Sequence, residues 1–160
     1  MKNSLTMAFF SAARAGEIKK LKALIPLVDV LHRDAEGRTA LMLSAGMGHD
    51  HCVDFLLSQI DPKLVDFEKW TALMRAAVLV ANTCPVRRLK CLKLLVPYSD
   101  IDAANSYGST ALMCAIKSRY SLGVDYLAMY SNLSRVNIKG QSALDIANYL
   151  GTESYIDILV

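Results

Sequence analysis

No run of apolar residues in this chain approaches the roughly 20 that a membrane-crossing helix needs. The opening stretch, MKNSLTMAFFSAARAG, has one early lysine, but Ser, Arg and Gly interrupt its apolar residues, so it reads as neither a secretory leader nor a span. Histidine is scarce: His32, His49 and His51 each fall in a turn region, and none stands with a Ser or Cys in a motif that nucleophilic catalysis uses. His49, His51 and Cys52 do cluster, but a zinc site wants about four converging ligands, commonly from two spaced pairs, and Cys84 and Cys91 have no histidine near them. The eight glycines form no phosphate-cradling loop and no dinucleotide fingerprint. An enzyme is therefore not expected, nor a metal, nor a cofactor. An excess of one charge is missing too. The net charge of +3 is too small to imply nucleic acid or a charged membrane surface, although it mildly favours an acidic partner.

What the chain does have is apolar content. It is 53% hydrophobic over 160 residues, enough to bury a core. Its four cysteines, Cys52, Cys84, Cys91 and Cys114, show no disulfide framework, which fits a reducing, intracellular and cytoplasmic location.

It also has a repeat. GRTALMLSAGMGHDHCVDFLL begins at Gly37, KWTALMRAA at Lys69, GSTALMCAI at Gly108 and GQSALDIANYLG at Gly140. The hydroxyl residues Thr39, Thr71, Thr110 and Ser142 lie at steps of 32, 39 and 32, and a further 32 backwards reaches Met7. Self-similarity at this period is the signature of a stacked array. Within a unit the apolar residues follow the helical period twice: Leu41, Ser44, Ala45 and Gly48, then Cys52, Val53, Leu56 and Leu57, with Gly48-His49-Asp50 as the break. Each unit therefore reads as a helical pair. Small residues recur at one spot, Ala12–Ala13, Ser44–Ala45, Ala76–Ala77, Ala115 and Ala147, where they let neighbouring first helices approach closely. Five residues before each hydroxyl stands Asp34, Asp66, Asn105 or Asn137, and two before it Gly37, Gly108 or Gly140, which predicts a tight turn followed by a Thr or Ser helix cap. Lys69 breaks the glycine pattern, and that turn is expected to be strained or of another type.

The pattern D-x-x-G-x-T-A-L-M-x-x-A-x-x-G-H followed by V-x-x-L-L resembles the ankyrin repeat, with Ala40 where the family usually has proline and Met42 where it usually has histidine. The TALM wording is also similar to that of long ankyrin arrays in protists. The resemblance implies an all-α repeat solenoid, a single domain over 1–160 with units at about 2–33, 34–65, 66–104, 105–136 and 137–160. It implies stacked helix-turn-helix units, projecting turns and a concave face. The third unit holds a seven-residue insertion between its helices, near residues 80–88. Pro85 is expected to start the helix after it, with Arg87, Arg88, Lys90 and Lys93 on its polar side, an ordinary solvated face or, as the alternative, a basic ridge for an acidic partner. His49 takes the family's Gly-His position, which usually bonds neighbouring backbone.

The family binds proteins through its turn tips and the exposed side of each first helix. Carried onto this chain, and weighted towards aromatics and arginine because they dominate binding hot spots, that side gives Arg38, Met47, Phe67, Glu68, Trp70, Arg75, Leu79, Tyr107, Lys117 and Lys139 as the candidate contact residues. Phe67, Trp70 and Tyr107 are expected to be exposed in one apolar patch, the alternative being that Phe67 and Trp70 tuck onto the adjacent turn. Tyr120, Tyr126 and Tyr130 read as partly covered outer-helix residues. The function expected is a non-catalytic protein-interaction module or scaffold; the alternative is a structural spacer or targeting segment of a larger array or multidomain regulatory protein. The apolar ending SYIDILV adds self-association through the C-terminal end as a further expectation.

Overall fold

Each turn is built by one Asx side chain. Asp34 Oδ1 accepts from the N–H groups of Glu36 and Arg38 at 3.1 and 2.8 Å, and Asp66, Asn105 and Asn137 repeat the pair of bonds two and four residues on. The hydroxyl that follows then accepts from the backbone N–H three residues further on: Met42 to Thr39, Met74 to Thr71, Met113 to Thr110 and Asp145 to Ser142. One otherwise unpaired N–H of the helix is thereby satisfied. At the second cap the sulfur of Met42 accepts from Thr39 N–H at 3.5 Å, so a methionine closes the cap.

A computed structural model describes residues 2–160, with side chains from Ser4 onward. Ten α-helices follow these caps and breaks in five pairs among the described residues. They are α1 (Lys2–Ala15) and α2 (Ile18–Leu24), α3 (Ala40–Met47) and α4 (Asp50–Leu57), α5 (Ala72–Ala77) and α6 (Pro85–Leu95), α7 (Ala111–Lys117) and α8 (Ser121–Ala128), and α9 (Ala143–Tyr149) and α10 (Glu153–Leu159). The odd-numbered helices pack in sequence as an inner layer and the even-numbered ones as an outer layer. The result is an all-α repeat solenoid, with no strand and no helix long and apolar enough to cross a membrane among the described residues. Successive turns are tied by one backbone bond each, Phe67 N–H to Glu36 O, Ser106 N–H to Glu68 O and Ile138 N–H to Tyr107 O.

Burial follows the repeat. Ala12, Ala13, Ser44, Ala45, Ala76, Ala77, Ala115 and Ala147 are all inaccessible, and the seam residues Leu21, Val53, Leu56, Leu92, Leu95, Val124 and Leu127 close the space between layers. Stability of such a stack is a sum over neighbouring interfaces.

Lys69 keeps the turn type of its neighbours. It sits at φ 61° where Gly37, Gly108 and Gly140 have 78°, 69° and 73°, so the third turn is the same turn with a lysine strained into the left-handed region. At the far end, the fifth unit has Asp145, Asn148 and Thr152 at the repeat positions of the buried Met113, Ile116 and Tyr120. Its outward face is more polar than the apolar tail SYIDILV implies.

The larger correction is Arg88. It is fully buried, whereas Arg87, Lys90 and Lys93 are exposed. The 39-residue step explains this, because it carries His49 onto Arg88 and a further 32 carries Arg88 onto Tyr120. His49 lies against Gly16 and its Nε2 meets Arg14 O at 2.9 Å. Arg88 lies against Gly48, and its guanidinium donates to Gly46 O, to Arg75 O and Ala76 O at 3.2 Å each, and through Nε to Thr83 Oγ1 at 2.8 Å. These bonds cap the ends of α3 and α5 and anchor the inserted loop 78–84. Tyr120 is likewise buried rather than partly covered, its hydroxyl donating to Pro85 O at 2.7 Å. Of the other two tyrosines, Tyr126 is half-buried and Tyr130 exposed.

Candidate partner-binding surface

The turns and the inner helices present one side of the solenoid, and Trp70 stands at its middle. Its N–H is fixed by Asp66, and its ring lies 4.7 Å from the Arg75 guanidinium, which in turn pairs with Asp66. Asp66 thus locks turn, indole and helix together. Trp70 is half-buried and packs on the core, so it forms the wall of a groove and is not a free tip. Its Nε1 and Arg75 Nε are covered without an acceptor among the described residues, a cost on the order of 1–3 kcal/mol for each buried donor.

Phe67 does project, at 74% exposure. It lies over Gly37, where a β-carbon would come within 2.6 Å of the ring. One aromatic therefore tucks inward and the other rests on the adjacent turn. Tyr107 is half exposed, and its hydroxyl donates to Glu68 at 3.2 Å. The Glu68 charge, with that bond, raises the Tyr107 hydroxyl above its ordinary value.

Arg38 bonds Asp34 and Glu36, both at 2.7 Å. Burial pushes the Asp34 carboxyl up, but its bonds to the Arg38 backbone and side chain and the Arg38 charge more than offset this, and its pKa is lowered. Lys117 Nζ donates to Ser109 Oγ at 2.7 Å. Met47 is exposed, Leu79 half-buried with its N–H bonded to Ser118 Oγ, and Lys139 exposed at the last turn.

Three adjoining hollows run along this side. The first, about 340 Å³, is walled by Trp70 and Arg75 with Leu43, Met47 and Val78 among its apolar lining, and it extends to Val80 in the inserted loop. The second, about 300 Å³, shares Trp70 and Val78 with the first and reaches Tyr107 and Lys117. The third, about 490 Å³, shares Tyr107 and Lys117 with the second and reaches Lys139 and Tyr149. Seven of the ten candidates therefore line one continuous run, while Phe67, Glu68 and Leu79 lie outside its lining. Arg14 and Val80, which also line it, were not among the candidates; Arg14 is marked by the repeat position it shares with Val78 and Lys117, whereas Val80 lies in the insertion and has no counterpart to mark it.

No group of three or more metal-ligating side chains comes together among the described residues. Cys52, Cys91 and Cys114 are buried free thiols and Cys84 is exposed.

The fold is a helical repeat solenoid. A family model for ankyrin repeats in three copies matches residues 9–101, more than half of the chain, and the chain belongs to the ankyrin-repeat family. No curated protein matches it. The ankyrin-repeat solenoid is a non-catalytic fold that generally serves as a protein-interaction scaffold.

Proposed function

We propose that the chain holds a partner protein along the side formed by its turns and inner helices, the concave side that the family resemblance implies. The observation that carries this is the continuity of the three hollows: a partner segment laid along them meets apolar side chains, an aromatic side chain and at least one cation in each hollow. Trp70, Arg75 and Tyr107 supply rigid anchors whose geometry is set before binding, which limits the entropy lost on association. The turn tips at Phe67, Glu68 and Lys139 add contacts at the rim.

The test is affinity capture from a cell extract with the wild-type chain and a variant carrying Met47→Glu and Tyr107→Ala, after circular dichroism shows equal folding. Both side chains are exposed, so the fold is expected to survive. Loss of a partner from the variant is the expected result. Retention by both would move the binding site to the outer helices.

A further inference from the structure

The three hollows share a charge pattern that the chain as a whole does not have. The chain is nearly balanced, with 18 basic and 15 acidic residues. Yet the ionised side chains lining these hollows are all cations: Arg14, Arg38 and Arg75 in the first, Lys117 in the second, Lys117 and Lys139 in the third. Among the described residues no carboxylate lines any of them. A larger hollow of about 710 Å³ adjoins the first, between α1 and the turn at Asp34, and there Asp34 and Glu36 are present but held by Arg38.

We infer that the occupant of the groove is an acidic segment of the partner protein, with carboxylate side chains interspersed among apolar ones. The inference rests on the proposed function, because it names the chemistry of the partner for that same site. Among the described residues Arg14 and Lys139 form no ion pair, and Lys117 spends one donor on a neutral hydroxyl. The Asp66 carboxylate is 2% exposed whereas its partner Arg75 is 29% exposed, so that pair presents its positive end outward. Cations therefore recur along the groove in every unit, Arg14, Arg38, Arg75, Lys117 and Lys139 from the first to the fifth.

Apolar side chains of the occupant have defined places. Leu43, Met47 and Val78 floor the first hollow, and Val80, 42% exposed, raises one wall of it from the inserted loop. The insertion ends α5 at Ala77 and so builds a wall that the other units lack. A nucleic acid fits this pattern less well than a peptide, because each unit supplies only one cation to the groove and apolar side chains lie among them. Opposite charge across such a groove speeds encounter and fixes register.

The test uses random peptides displayed on phage and panned against the full chain. Binders are then labelled and titrated by fluorescence anisotropy against wild type, the Arg14→Glu/Lys117→Glu double variant and the Met47→Glu/Tyr107→Ala variant. The expected binders are rich in Asp and Glu beside Leu, Ile, Phe or Trp, lose about tenfold or more in affinity to the charge-reversed variant, and weaken as salt is raised. Binders without acidic enrichment that still require Met47 and Tyr107 would overturn the inference and leave the proposed function standing. Binders indifferent to both variants would overturn both. A single-stranded oligonucleotide bound more tightly than every acidic peptide would overturn the peptide assignment.

Discussion

The second and third units solve one problem in two ways. In the second, α3 ends at Gly48 with φ 75°, and the next residue, His49, reaches back to one carbonyl of the previous unit. In the third, α5 ends earlier, no glycine follows, and seven loop residues intervene before α6. The residue at the histidine position is then Arg88, whose fork reaches three carbonyls and a loop hydroxyl at once. An insertion that removes a tidy helix end thus calls for a side chain with more donors. Arginine has five in fixed geometry where histidine has at most two.

The comparison breaks most visibly if Arg88 is removed. Arg88→Ala strands the carbonyls of Gly46, Arg75 and Ala76 and opens a cavity, and is expected to cost about 3–5 kcal/mol. His49→Ala, losing one bond, is expected to cost about 1–2 kcal/mol. Urea denaturation of the two variants tests the ranking, and equal losses would remove the distinction between the units.

Next in size is a pH effect from buried thiols and a buried hydroxyl in the third and fourth units. Burial pushes the Cys91 thiol and the Tyr120 hydroxyl up to about 12 and the Cys114 thiol up to about 11. An unfolded chain ionises its thiols near the ordinary value of 9.0. Above that pH the unfolded state sheds protons that the folded state keeps, so stability is complete below about 9 and falls progressively as pH rises towards about 12. Denaturation midpoints across that range are expected to drop, and more shallowly in Cys91→Ala.

The turns give a smaller contrast. Gly37→Ala meets both an unfavourable φ and the Phe67 ring and is expected to lose about 1–2 kcal/mol. Lys69→Gly relieves the same φ and is expected to gain about 0.5–1 kcal/mol, the relief being partly offset by glycine's entropy. The smallest effect is chemical. Cys84, exposed in the inserted loop, is expected to react with a thiol reagent in the folded chain, while the buried Cys52, Cys91 and Cys114 wait for unfolding.

Much of this was legible in sequence because it is local. Asp34, Asp66, Asn105 and Asn137 bond within four residues, and the Thr and Ser caps within three, so the repeat shows turns, helix starts and family directly. Arg88 was not read because a helical wheel places it beside Arg87, Lys90 and Lys93, and only the register across the insertion, His49 to Arg88 to Tyr120, places it inside. Trp70 was read as a tip because the sequence does not show Arg75 and Asp66 folding the indole inward. The candidate surface was legible as positions; its division into hollows and its uniform charge are tertiary facts.

Backbone hydrogen exchange on the chain with and without a captured partner tests the central claim most directly. The account predicts added protection over the turns and inner helices of units two to five, around residues 34–47, 67–80, 106–118 and 138–149, with the outer helices unchanged. Protection confined to α4, α6 and α8 would contradict it.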